Sequence, residues 1–309
     1  YVNPSREIFQ QMREGQMDLI HITVGYHEDF DGVLRNFAMW NRQIEDNADL
    51  VVRATCVADI HSAKAADKTA LCFGLQNPLA FSADLARIEV LHQLGIKFCQ
   101  LTYNQQSLLG AGCFEDRDSG ITAFGREVIA EMNRIGMVID LSHAGHDTAM
   151  QAVEISDRPV TVTHANPKQW HDCPRNLADD LINAVTSKGG MVGFSLYPHH
   201  MNNGSDCDMS DFGAMALDMV TRFGPNFGIG SDLCQNQPDS VVNWMRNGHW
   251  RKTPVPAAKF PTQPEWFTDN RDFPVMANGL TAAGLSDVQA ASVLGDNWMR
   301  FLEKAWLPA

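Results

Sequence analysis

Short, unbroken apolar runs alternate along the chain with longer stretches whose apolar residues recur at helical spacing. Seven runs stand out: Asp18–Val24, Ala70–Leu75, Lys97–Leu101, Met137–Leu141, Val160–Thr163, Met191–Ser195 and Phe227–Gly230. They are rich in Ile, Val, Leu and Phe and lack polar alternation, as in strands buried on both faces of a sheet. Between them, Ala123–Ile135 places Phe124, Val128, Met132 and Ile135 on one helical face, and Gly136 stops the helix. Ser82 can cap a helix carrying Leu85, Ile88 and Leu91, with Gly95 just past its end. Asn176 can cap another carrying Leu181, Ile182 and Val185, which ends at Gly189–Gly190.

This alternation predicts a parallel sheet with crossover helices. An eighth strand just before Tyr1 would complete a (β/α)8 TIM barrel. The competing fold, an open doubly wound sheet, lacks its glycine signature: no G-x-G-x-x-G follows the early strands, and Gly228-Ile229-Gly230 comes late without a third glycine. The expectation is therefore one α/β barrel domain over residues 1–309. Phe260–Asp272, rich in Pro, Trp and Phe, reads as a loop over one barrel face, part of a long loop around residues 250–275. Closing helices are expected at Ser286–Leu294 and Asn297–Ala305.

Charge narrows the partners. With 24 Lys and Arg against 37 Asp and Glu, the net charge is −13, and no basic block occurs, which argues against nucleic acid. No apolar run approaches the roughly 20 residues needed to cross a bilayer, and a polybasic helix is absent, so no membrane partner is expected. Seven cysteines, an odd number with no C-x-x-C pair, fit a reducing compartment, and a cytoplasmic location is expected. The chain begins at Tyr1 rather than Met, which leaves a removed targeting segment open.

In a parallel barrel, functional side chains project from the carboxyl ends of the strands. VIDLSHAG (Val138–Gly145) places His143 there, and PVTVTHAN (Pro159–Asn166) places His164 on the next strand. FGIGSDLC (Phe227–Cys234) delivers Asp232, and ALCFGLQNP (Ala70–Pro78) delivers Gln76. Two imidazoles on successive strand ends converge on one point and suit a divalent metal of the zinc type. A later carboxylate can then handle the proton of an activated water. Of the other histidines, His146 reads as a capping or surface residue, His92 as helix packing, and His199-His200 as a diverging loop pair. His27-Glu28-Asp29 spells H-x-D, a pair that metal-dependent hydrolase barrels carry on their first strand.

Several segments together resemble the membrane (renal) dipeptidase family of the amidohydrolase superfamily, from about Asp18 to the C-terminus. They are LGIKFCQLTYN (Leu94–Asn104), FGREVIAEMNRIGMVIDLSHAG (Phe124–Gly145), PVTVTHAN, CPRNLADD (Cys173–Asp180), FGIGSD and GDNWMRFLE (Gly295–Glu303). The resemblance implies a (β/α)8 barrel of the metal-dependent hydrolase type, with a two-zinc site that hydrolyses dipeptides. His143 and His164 match the two histidines of one metal, Asp232 the catalytic aspartate, and Arg175 an arginine that contacts the substrate carboxylate. The chain also departs from the pattern. Gln76 stands where the family has its bridging glutamate, and Tyr103 where it has a histidine near the scissile carbonyl. Cys234 follows Asp232 where a second Asp is frequent. The family's H-x-D belongs at or before Tyr1, so that His27-Glu28-Asp29 aligns after the second strand instead.

With three of five usual ligands absent or changed, one divalent ion, of the zinc type, is expected rather than two, with Gln76 near it. Tyr103 would donate an oxyanion hydrogen bond and, with Arg175, orient the substrate. The expected activity is metal-dependent hydrolysis of an amide bond in a dipeptide or N-substituted amino acid. Two alternatives stand beside it. One is a metal-poor barrel that binds a small metabolite or partner without catalysis, and the other a lyase or isomerase using Asp232 as base. A homo-oligomer is left open.

Overall fold

A computed structural model describes residues 4–235, 237–247 and 258–306. Its centre is one curled sheet of eight strands, every pair parallel. The strands are β1 (Leu19–Gly25), β2 (Val51–Arg53), β3 (Thr69–Leu75), β4 (Ile96–Gln100), β5 (Val138–Asp140), β6 (Thr161–Val162), β7 (Met191–Phe194) and β8 (Phe227–Ile229). Hydrogen bonding runs β1-β3-β4-β5-β6-β7-β8, so all strand C-termini open on one face. Helices wrap the outside: α1 (Arg6–Glu14), α2 (Phe30–Asp46), α3 (Val57–Ala65), α4 (Ala86–Gln93), α5 (Ala123–Ile135), α6 (His146–Ile155), α7 (Asp179–Ser187), α8 (Met209–Phe223), α9 (Asp239–Asn247), α10 (Phe273–Ala282), α11 (Asp287–Ala291) and α12 (Asn297–Ala305). Burial on both faces explains the unbroken apolar runs; every position of β3 is buried.

The seven expected runs all appear as strands. The sheet also contains a strand outside the expected runs, β2, which makes eight among the described residues. It escapes the hydrophobic pattern because it is three residues long and pairs only with Thr69–Leu71 at the start of β3. Beyond β3, the ladder passes to β4.

Helix α5 spans the expected residues because its stop and start signals are both satisfied. Gly136 adopts the left-handed φ of 78° that lets its N–H reach the Met132 carbonyl. Thr122 Oγ1 accepts from the Gly125 N–H at 2.9 Å and donates to the Leu108 carbonyl at 2.6 Å. Thr122→Ala loses both bonds, and urea unfolding should show a loss of about 1 kcal/mol, the usual cost of a vacated N-cap.

Three sequence expectations shift. Helix α7 is capped by Ala178 rather than Asn176, whose amide instead donates to the His171 and His200 carbonyls. Helix α4 begins at Ala86, where Asp84 takes the first free N–H, while Ser82 sits in a turn at φ 51°. The loop expected around residues 250–275 ends at a 3-10 turn, Asn270–Asp272, and α10 begins at Phe273. Within that loop Phe267 is fully buried and the Trp266 indole donates to the Cys207 carbonyl, so the segment is docked on α8. Residues 248–257, which include the start of that loop, lie outside the described residues.

Among the described residues no ladder joins β8 to β1. The outward carbonyls of β8 are taken by side chains instead. Asn297 Nδ2 donates to Phe227 O at 2.7 Å, and Trp298 Nε1 donates to Ile229 O at 3.0 Å. Gly228 makes room for this, since a Cβ there would lie 2.3 Å from Trp298 Nε1.

Candidate metal and substrate site

The site grows from a carboxylate inside the barrel. Asp140, the last residue of β5, is buried and accepts from both Ser142 and Thr163. Its Oδ1 takes the Ser142 N–H (3.0 Å), the Ser142 hydroxyl (2.5 Å) and the Thr163 N–H (3.0 Å). Its Oδ2 takes the Thr163 hydroxyl (2.6 Å) and the Gln100 amide (3.1 Å). Burial works to raise its pKa, but His164 and these donors outweigh it and hold Asp140 below its ordinary value, as an acceptor-only anion.

That anion sets the proton pattern above it. The Thr163 hydroxyl spends its single hydrogen on Asp140, so His164 Nδ1, 2.7 Å from Thr163 Oγ1, must be the donor in that contact. His143 Nδ1 lies 2.6 Å from the side-chain amide oxygen Oδ1 of Asn104, which can only accept, so it too carries the hydrogen. Both imidazoles therefore present a bare Nε2, and the two atoms face each other at 3.1 Å. Burial, then the Arg175 charge, holds His143 well below its ordinary pKa. Burial likewise lowers His164 against the pull of Asp232. Two converging lone pairs, kept neutral, call for a cation between them. Their spacing is near the roughly 3.3 Å that separates two ligand nitrogens on a tetrahedral zinc. No third His, Cys, Asp or Glu among the described residues completes a ligating group with them.

Around this pair stand three further groups. Tyr103 is buried and stacks on His143, ring centroids 4.2 Å apart, with α9 and Phe260 packed over it. Burial, reinforced by the Asp232 charge, pushes its phenol well above its ordinary pKa, so the hydroxyl stays a donor. Arg175 is buried, gives one hydrogen bond to the His164 carbonyl (3.1 Å), and its Nε has no partner. No carboxylate pairs with it among the described residues. Asp232, just past β8, is partly exposed and adopts a left-handed φ of 51°, a conformation uncommon outside glycine. It follows the end of β8 by three residues, on the face where the strand C-termini open, and its charge acts on both His164 and Tyr103.

Gln76 directly follows β3, but its amide donates to Thr23 Oγ1 (2.9 Å), and among the described residues no hydrogen bond joins it to either histidine. Of the H-x-D residues, Asp29 caps α2, whereas His27 lies beside the site: its ring meets Tyr103 edge-on with centroids 5.4 Å apart, and its Nε2 meets the Met245 carbonyl at 2.8 Å. His146 pairs with Asp180, His200 Nδ1 with Ser195, and His92 with Lys97. Asn104, Asp140 and Thr163, which fix the imidazoles, escape a reading that looks only for ligands. Asp140 had a visible signal, a charged residue inside an apolar strand.

The model of the membrane dipeptidase family (peptidase family M19) matches residues 8–242. The chain belongs to this family. Membership brings a divalent metal cofactor with it. Among relatives, Dipeptidase aclJ of Aspergillus oryzae is 27% identical over 204 residues, 62% of this chain and 47% of that protein. Mouse Dipeptidase 3 is 31% identical over 131 residues, 40% of this chain and 27% of that protein. The chain thus spans less than half the length of these relatives. A crystal structure described as an amidohydrolase from Pseudomonas aeruginosa superposes with a TM-score of 0.94 at 32% identity, covering 98% of this chain and 94% of that one. A Rhodobacter sphaeroides metallopeptidase, bound to a phosphinate mimic of the dipeptide L-Ala-D-Ala, has the same fold: TM-score 0.81, 18% identity, 96% and 89% covered.

Proposed function

We propose that this membrane dipeptidase family member is a metal-dependent hydrolase that cleaves an amide bond in a dipeptide or a small carboxylate-bearing amide. The observation that carries the reading is the pair of bare Nε2 atoms, each imidazole locked by a donor bond on its other nitrogen. His143 and His164 would hold one ion of the zinc type. When bound, the ion supplies Lewis-acid activation of water and of the scissile carbonyl. Asp232 accepts the proton of the attacking water and passes it to the leaving amine nitrogen, so that one water is consumed and a carboxylate and an amine are released. Arg175 supports the carboxylate requirement: a buried guanidinium without an anion is costly, and a substrate carboxylate supplies the missing partner. Tyr103, held protonated, donates to the oxygen of the reacting carbonyl.

Metal content decides between this reading and its rivals. Wild-type protein should carry about one divalent ion per chain, and the His143→Ala, His164→Ala double variant none. Dipeptide hydrolysis should vanish on chelation and return with zinc. A wild-type chain that binds no metal even after incubation with zinc would instead be a binding barrel. Turnover that survives exhaustive chelation would point to a lyase or isomerase.

A further inference from the structure

A second guanidinium stands at the same site without an acidic partner. Arg246 lies in the last turn of α9, the helix that roofs Tyr103. Its Nη2 donates to the Tyr197 hydroxyl at 3.0 Å and to His199 Nδ1 at 3.1 Å. Both partners are neutral. Burial, then the neighbouring charge of Arg246, holds His199 below its ordinary pKa, and burial pushes Tyr197 up to about 12. No carboxylate among the described residues lies in ion-pair contact with Arg246.

Tyr197 ties Arg246 to the reacting groups. Tyr197 lies just past the C-terminal end of β7, on the face where the strand C-termini open, and the Asp232 charge bears on it as it does on Tyr103. Arg175 reaches this space from the β6 side and Arg246 from α9. Holding α9 in place does not depend on Arg246 alone. His27 Nε2 meets the Met245 carbonyl at 2.8 Å, and Asn243 exchanges two hydrogen bonds with the backbone of Ala258. A protein of net charge −13 repels anions at long range, so local guanidiniums without acidic partners matter most for a ligand that brings more than one negative group.

We propose that Arg246 recognises a second carboxylate on the substrate, so that the protein favours dipeptides or N-acyl amino acids carrying an Asp or Glu side chain over their neutral counterparts. This rests on the hydrolase reading above, in which Arg175 takes the first carboxylate. A charge-assisted hydrogen bond of this kind is worth about tenfold to a hundredfold in discrimination.

The test uses matched peptides that differ only in charge: L-Ala-L-Glu against L-Ala-L-Gln, and L-Glu-L-Ala against L-Gln-L-Ala. With the zinc-loaded full chain, kcat/KM should favour the acidic member of one pair by at least about tenfold. In Arg246→Gln that ratio should fall toward one, chiefly through KM, and Arg246→Lys should restore part of it. Calorimetric titration of the same peptides into metal-free protein separates recognition from turnover. A Kd ratio that favours the acidic peptide and collapses in Arg246→Gln supports the proposal even where no peptide is hydrolysed, a result that would count against the hydrolase reading alone. Equal Kd and kcat/KM for acidic and neutral peptides would overturn it, as would an Arg246→Gln variant that weakens both equally.

Discussion

Asp232→Asn should cut turnover by about a thousandfold while the protein unfolds at nearly the wild-type temperature. The two halves of that result have separate causes. Asparagine keeps the size and hydrogen-bonding oxygen of the side chain but cannot take up a proton near neutral pH, and positioned acid–base groups contribute about a hundredfold to ten-thousandfold. Stability should change by no more than about 0.5 kcal/mol, because the side chain is partly exposed and no described donor bonds to its carboxylate. Asparagine also tolerates the left-handed φ of 51° found at this position. Turnover and thermal melts on the same zinc-loaded samples check both halves. Near-wild-type turnover would remove Asp232 from the proton path and with it the proposed mechanism.

The largest loss of stability is expected at Asp140. In Asp140→Asn the two oxygens that accept from Ser142, Thr163 and Gln100 become one oxygen and one amide, which turns its own hydrogens toward donors. Breaking a buried, fully bonded charge in this way costs about 3–5 kcal/mol. A second effect follows at the histidines. Freed from Asp140, the Thr163 hydroxyl can donate to His164 Nδ1, which moves the imidazole hydrogen to Nε2 and blocks the lone pair that faces His143. Zinc affinity should drop by about tenfold to a hundredfold, the usual consequence of losing the partner that orients a ligating histidine. Urea unfolding of metal-free protein measures the first effect, and zinc titration against a competing chelator the second. Thr163→Val separates them, since it should weaken zinc binding with the smaller loss of stability. Unchanged zinc affinity in both variants would mean that the tautomer is fixed elsewhere.

How far the sequence discloses this protein depends on the kind of signal. Helix α5 is legible to the residue because Thr122 and Gly136 are local devices, each satisfied within its own turn. The strands are legible because burial on both faces leaves a continuous apolar stretch. Strand β2 is not: three residues, two of them half-buried, carry no pattern of their own and are ordered by the start of β3. Asn176 misleads for a related reason. It is a good cap by type, but its amide is drawn to two carbonyls distant from the helix start. At the site, residues that follow strand ends are legible because a parallel sheet opens all its strand C-termini on one face, and His143, His164 and Asp232 follow β5, β6 and β8. Gln76 illustrates the limit: its place at a strand end is readable, but its bond to Thr23 depends on the register of β1 against β3. Arg246 carries no motif at all, and only the folding of α9 over Tyr103 brings it to the site.

The side chains that cover β8 bear on the company this protein keeps in solution. A sheet margin with free carbonyls is a template on which a strand from another molecule can lie, the first step toward ordered aggregation. Here the Asn297 amide and the Trp298 indole occupy the Phe227 and Ile229 carbonyls before any such strand can arrive. Among the described residues, the covering of those carbonyls rests on two neighbouring side chains that have no part in the proposed chemistry. Variation at Asn297 or Trp298 would free those carbonyls and be felt at the sheet margin, away from the residues proposed for catalysis.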